Sequence, residues 1–507
     1  MVKNYLLTCI IVFLFSCQDD KNIRSYAISD EDYNSKVANS FDRDWDQIKE
    51  DGVLRALVVY SSTSYFLYRG EPMGFEYELL SRLADDLNLE LEIVVSENLD
   101  SEFDVLNRGE VDLIAHGMTI TNQRKQEVDF TEYLFLTKQV LVQKKPDNFR
   151  SLSWGSLQRA LIHDAIELTD DTVSIRKNSA YVERILSLSN EIGGRIVIDT
   201  LDSALTTDEI IDKVADGEIK YTIADENLAK INASYRPILD ISVPISFSQR
   251  IAWVTRKKSK NFKNLIDGWI KSQRKKTDYY VIYNKYFKNK RSFQRRIKSD
   301  YYSLGDNQIS PYDKLFQTYA NHIGWDWRLL ASQAYQESRF DTKAQSWAGA
   351  QGLLQVMPST GKSLGITNPS DPEQSIRGGV KYLKQNYQEL ESVKDSLNRI
   401  KLTLAAYNCG LGHVLDAQRL TSAEGLNPNI WDDVAPNLLA LRFPRNYNKP
   451  IVKHGYVRGT EPVKYVKQIF ERYEHYKTFA VLEEDENEDE KSMQEVIASS
   501  TSIPTVK

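Results

Sequence analysis

The stretch that decides the reading runs from Trp327 to Pro358. It opens with Trp327, Leu330, Ala331 and Ala334, whose spacings of three and four trace one apolar face of a helix. Glu337 falls three residues after Ala334 and seven after Leu330, so a carboxylate lies on that same face, followed by Ser338-Arg339-Phe340. An acid on a buried stripe loses hydration, and desolvation raises a carboxyl pKa toward the range that a general acid needs. Downstream come Ala344-Gln345-Ser346 and then Ala348-Gly349-Ala350-Gln351-Gly352-Leu353-Leu354-Gln355-Val356-Met357-Pro358. Glycines there permit close backbone approach, and glutamines offer both a donor and an acceptor to sugar hydroxyls. Taken singly each piece has a bland reading, since a glutamate on a buried face serves as readily as a structural ion-pair partner.

Together the pieces are more specific. With Ala405-Ala406-Tyr407-Asn408-Cys409-Gly410 and Glu461 followed by Tyr465-Val466, they resemble the lysozyme-like domain of soluble-type lytic transglycosylases over about residues 305–480. The resemblance implies that Glu337 is the catalytic acid, that Ser346, Gln355, Tyr407 and Asn408 line a glycan cleft, and that Glu461 supports its floor. It implies a reaction on peptidoglycan that uses one carboxylate, where most glycosidases place two across the bond. It implies no cofactor, and the six histidines are scattered and suggest no metal cluster. Asp341, one turn beyond Glu337, is expected to cap the turn after the helix. Cys409, alone in the body of the chain, reads as a small buried hydrophobe.

From Val53 the pattern alternates short strands and amphipathic helices: strand Val53–Tyr60, helix Tyr77–Leu87, strand Leu89–Val95, helix Ser101–Arg108, strand Val111–Ala115. Alternation of this kind signals βαβ units and a parallel sheet. Within it, Gly109-Glu110-Val111-Asp112-Leu113-Ile114-Ala115-His116-Gly117-Met118-Thr119-Ile120-Thr121-Asn122-Gln123-Arg124, then Val128-Asp129-Phe130, resemble the family 3 solute-binding proteins over about residues 50–257. The resemblance implies that Arg124 grips a ligand carboxylate with Thr119 as a neighbouring donor, while Asp225 meets an α-amino group. The ligand expected is an amino acid or a muropeptide. The alternative is an emptied receptor fold in which Arg124 and Asp225 pair with each other or face solvent. Two lobes joined by strands near Phe135–Gln143 and Ser246–Val254 would close by a hinge.

The expected architecture is multidomain. An N-terminal α/β, two-lobed, periplasmic-binding-protein-like domain (51–258) precedes a C-terminal, mostly α, lysozyme-like domain (305–482). That fusion resembles the membrane-bound lytic transglycosylase F arrangement. Residues 259–304 read as a basic connecting segment, since 271–298 hold eleven basic groups and one acidic, and a solvated helix is expected there. A glycan-docking or sensing lipoprotein without catalysis is the competing class. Glu337 discriminates, because a docking module has no need of it.

At the N-terminus, Lys3 precedes an apolar run, Tyr5–Phe15, too short to span a hydrocarbon core of about 30 Å. Its end, Leu14-Phe15-Ser16-Cys17, resembles a lipobox, which implies a signal peptide over 1–17, a lipidated Cys17 and a flexible tether over 18–50. The expectation is a lipid-anchored protein on the periplasmic face of the outer membrane. The formal charge of −6 belongs to residues 483–507, with eight acidic groups and two lysines, read as a disordered tail. The remaining body is neutral, which excludes bulk electrostatic binding of nucleic acid.

Overall fold

Six residues, Val53–Val58, set the first sheet. They lie as a parallel strand between Glu90–Val95 and Leu113–Thr119 in the computed structural model, which describes residues 41–96, 98–306 and 308–479. Parallel neighbours need a crossover, and the helices Phe75–Leu87 and Glu102–Arg108 supply it. Gln249–Thr255 closes the sheet antiparallel to Leu113–Thr119, with Asp129–Phe130 and Phe135–Thr137 paired to its other side. In the second lobe Gln139–Lys144 runs antiparallel between Tyr221–Asp225 and Leu239–Asp240, and Thr172–Arg176 pairs in parallel with Val197–Leu201. The chain passes between lobes twice, at Lys138 and just before Gln249. The Gln139 N–H donates to Ser246 Oγ at 2.9 Å, pinning the two crossings together.

Beyond residue 310 the described chain is helical. The helix Trp327–Ser338 packs between Asp313–Ala320 and the long final helix Thr460–Phe479, which also packs on Ser396–Cys409. Phe316, Leu330, Ala331, Ala334, Leu402, Ala405 and Ile469 form the centre of this core, all fully buried.

Two expectations are corrected. The tether over 18–50 ends earlier: Trp45–Asp51 is a helix capped by Asp44, with Ile48 buried. The cause is Arg43, whose guanidinium pairs with Asp51 and with Asp112 (2.7 Å) and so fastens this stretch to the first sheet. Residues 259–304 are not a solvated connecting helix but chiefly three packed ones, Lys260–Gln273, Thr277–Phe287 and Lys290–Ile297. Their lysines point outward, while Phe262, Ile266, Tyr279, Ile282, Tyr286 and Phe293 are buried. Arg296, 2% exposed, lies against the rings of Phe66, Tyr286 and Phe293, where a guanidinium is stabilised by aromatic faces. Residues 1–40 and 480–507, including Cys17 and the acidic tail, lie outside the described residues.

The two domains share one apolar core. A hairpin of the first, Phe66–Tyr68 and Glu71–Met73, presses its turn against the helix that carries Glu337. Gly70, at φ +74°, accepts a hydrogen bond from Tyr476 Oη (3.0 Å), and a Cβ there would come within 2.5 to 2.9 Å of Tyr335, Tyr476 and Phe340. Only glycine fits that approach. Beside it Tyr335 donates to Glu71 Oε1 at 2.5 Å, and Tyr65 Oη meets His475 Nδ1 at 2.8 Å.

The fully buried Asp112 serves two guanidiniums, Arg43 at 2.7 Å and Arg256 at 3.2 Å. Removing a buried partner leaves uncompensated charge, which costs about 3–5 kcal/mol. Asp112→Asn is therefore expected to lower stability by about that amount in denaturant unfolding; an unchanged midpoint would contradict the role given to this cluster.

Candidate active site

The helix Trp327–Ser338 is built to be surrounded. Ten of its twelve residues are buried, which leaves Gln336 and Glu337 as the two that reach outward. Asp326 caps it, accepting from the Arg328 N–H at 2.8 Å and from Tyr473 Oη at 2.8 Å. Ser332 donates to the Ile469 carbonyl at 2.7 Å. These bonds fasten the helix to Thr460–Phe479, so the orientation of Glu337 is set by packing along the whole helix.

Glu337 itself is half-buried. Its Oε1 accepts a hydrogen bond from Tyr465 Oη at 2.5 Å, and that phenol accepts in turn from Gln333 Nε2 at 3.1 Å, one helical turn before Glu337. Burial pushes the carboxyl up to about 7; the Tyr465 bond pulls it down, and the Glu461 carboxylate nearby pushes it up. A carboxyl in that range holds a proton at neutral pH often enough to donate it, and can take one back.

After Ser338 the chain reverses. Arg339 and Phe340 take left-handed φ values of 54° and 63°, and Phe340 is buried against Tyr335 and Phe316. Asp341 Oδ1 accepts from the Lys343 N–H at 2.9 Å, which caps the turn as expected. The glycine- and glutamine-rich loop is then tied to itself. Ser346 Oγ accepts from the Ala350 N–H at 3.0 Å. Gln355, at φ +45°, gives its amide nitrogen to the carbonyls of Ala344 (3.0 Å) and Gly352 (2.9 Å). At Gly352 a Cβ would fall 2.1 Å from the Pro369 carbonyl oxygen.

The other expected residues arrive from a distance. Tyr407, near the end of the helix Ser396–Cys409, donates to the Leu354 carbonyl at 2.6 Å and lies beside Tyr382. Burial raises its phenol, and the nearby Glu337 charge adds to the effect. Asn408 follows, half-buried, its amide making no hydrogen bond among the described residues. Burial pushes the Cys409 thiol up to about 12, so it is inert as a nucleophile. Glu461 is exposed at the start of the final helix; it acts on Glu337 and Cys409 by its charge, and its side chain makes no hydrogen bond or ion pair among the described residues.

The fold thus brings Glu337, Tyr407 and Glu461 together, whereas Ser346 and Gln355 spend hydrogen bonds holding the loop. Tyr465 was quoted only as part of a motif. Its position four residues after Glu461, on the same helix face, is the signal that could have placed it.

In the first domain Thr119 and Arg124 from one lobe and Asp225 from the other line one cavity of about 770 Å³. Arg124 Nη1 donates to the Thr119 carbonyl at 3.2 Å. Asp225 makes no ion pair with Arg124; its buried Oδ1 has no partner, and burial pushes it up to about 7.

Comparison with known proteins fits both halves. Residues 314–429 match the Transglycosylase SLT domain family, and residues 55–289 match the bacterial extracellular solute-binding proteins, family 3. Among solved structures, a mutant arginine-binding protein from T. maritima covers 48% of this chain and 98% of its own at 25% identity, with a TM-score of 0.39. A transporter substrate-binding protein from Streptococcus pneumoniae bound to L-arginine covers 50% of this chain and 100% of its own at 19% identity, with a TM-score of 0.40. Proteins called membrane-bound lytic murein transglycosylase F are similar over most of their length. That of Desulfosudis oleivorans is 32% identical over 84% of this chain and 90% of its own, and that of Shewanella woodyi 34% over 84% and 85%. With that identity across both domains, the chain belongs to the membrane-bound lytic murein transglycosylase F family.

Proposed function

We propose that Glu337 performs the murein cleavage of this lytic transglycosylase alone, as acid and then as base. The observation that carries this reading is a carboxyl desolvated to about 7 with a phenol bonded to one oxygen. In the first step Glu337 protonates the β-1,4 glycosidic oxygen between N-acetylmuramic acid and N-acetylglucosamine, and the C1–O bond breaks. The N-acetyl oxygen of the muramic acid stabilises the positive charge at C1. Glu337, now a carboxylate held by Tyr465, takes the proton of the C6 hydroxyl, whose oxygen closes onto C1 as a 1,6-anhydro ring. An internal nucleophile has a high effective molarity and outcompetes water. Tyr407, Asn408, Ser346, Gln355 and Glu461 line or shape the glycan cleft.

The reading extends to the rest of the chain. Thr119, Arg124 and Asp225 take an amino acid or muropeptide, and lobe closure on it modulates cleavage. The shared core supports such coupling, because the hairpin at Gly70 touches the catalytic helix itself. A lipid on Cys17 holds the protein at the outer membrane, facing the periplasm. Its relatives are called membrane-bound, and no helix among the described residues is long and apolar enough to cross a membrane.

Digestion of purified murein is expected to release 1,6-anhydromuramic ends, identified by mass, and Glu337→Gln to lower the rate by about 10²–10⁴-fold. Reducing muramic ends, or a rate that survives the substitution, would refute the mechanism. The rate should fall as pH rises through about 7, where Glu337 loses its proton. Tyr465→Phe removes the bond that favours the carboxylate, so the same fall is expected at higher pH; a limb that stays or moves down would count against the pairing.

Stability gives a further check. Because folding raises this carboxyl from 4.5 to about 7, the folded state binds the extra proton between those values, and stability declines as pH climbs through that window. Glu337→Gln should stabilise the fold by on the order of 3 kcal/mol above pH 7 and by little below pH 4.5, read from unfolding midpoints at the two pH values.

A further inference from the structure

The cavity between the lobes holds a charged group that the expected ligand contacts do not use. Arg176, at the end of the strand Thr172–Arg176 in the second lobe, lines it opposite Arg124. The Arg176 side chain makes no hydrogen bond or ion pair among the described residues. Arg124 has one carbonyl partner, Thr119, and no carboxylate. Burial lowers both guanidiniums, and the charge of Arg176 lowers Arg124 further. Nearby acids do not neutralise them by contact. Glu102 is held by His116 Nε2 at 2.8 Å, and Asp100 and Glu183 act only through space. Asp225, in the same lobe as Arg176, supplies a carboxyl whose buried Oδ1 has no partner.

We infer that this cleft is built for a ligand with one ammonium group and two carboxylates, the second carboxylate being held by Arg176. The inference rests on the reading of the cleft as a ligand site and adds to it the class of ligand. An ordinary α-amino acid offers one carboxylate to Arg124 and one ammonium to Asp225, which leaves the half-buried Arg176 with no partner in contact, only distant acids acting through space. A second carboxylate completes the set, and a guanidinium fork suits it bidentately. A phosphate in its place would bring more negative charge toward Glu102 and Asp100, which act on Arg176 from the cleft wall. The geometry also links binding to closure. Arg124 and Arg176 belong to opposite lobes, so they repel as the lobes approach, and a dianion between them turns that repulsion into attraction.

The test is calorimetric titration of the full chain, in detergent, with L- and D-glutamate and with their amides, L- and D-glutamine. A charge-assisted bond predicts that one glutamate binds about ten- to a hundred-fold more tightly than its own amide. Arg176→Gln should reduce that preference to less than about two-fold while leaving the amide's affinity, which also shows the variant is folded. Arg176→Lys should retain part of the preference, and Arg124→Gln should abolish binding of all four. Equal affinities for acid and amide, or a preference that survives Arg176→Gln, would overturn the inference while leaving the receptor reading intact. No heat with any of the four would refute the amino-acid form of the receptor reading, and this inference with it.

Discussion

Everything in the catalytic half answers to one constraint: a carboxyl must be kept out of water without being neutralised by a cation. Glu337 meets it on a helix whose other faces are packed, with a phenol as its side chain's only hydrogen-bond partner among the described residues. A lysine or arginine in the place of Tyr465 would hold the carboxylate charged and remove the acid. The phenol orients the group at the cost of a modest downward pull. That choice explains why so much structure stands behind one side chain. Asp326, Ser332 and Gln333 each tie the helix that carries Glu337 or its phenol to the final helix.

How far the sequence could be read depended on the range of the interactions. Glu337 was legible because its burial follows from positions three and seven residues away on the same helix. The alternation from Val53 onward was legible for the same local reason, and the structure moves those elements by only a few residues. Tyr465 was not, because it reaches Glu337 across 128 residues and nothing local demands the pairing. Gln355 and Ser346 were read by what their side chains could offer a sugar, whereas the left-handed turn at Gln355 draws its amide inward.

Residues 259–304 misled through their charge. Eleven basic groups conceal a stripe at Tyr279, Ile282 and Tyr286, whose spacings of three and four mark a buried helical face. The amphipathic pattern was present, but lysine-rich segments look solvated when charge is counted before periodicity. Arg43 is the converse case. A polar stretch became ordered because one guanidinium found a buried aspartate in the sheet.

The turn at Gly70 changes what a domain boundary means in this chain. The two halves match separate families, yet the first contributes a hairpin that covers Tyr335, Phe340 and Tyr476 of the second. A C-terminal half released by cutting near residue 300 would present those three rings to water, the first of them two residues from Glu337. The seam is therefore upholstery for the active site, and the receptor-like half is a structural component of the enzyme even when its own cleft is left out of account.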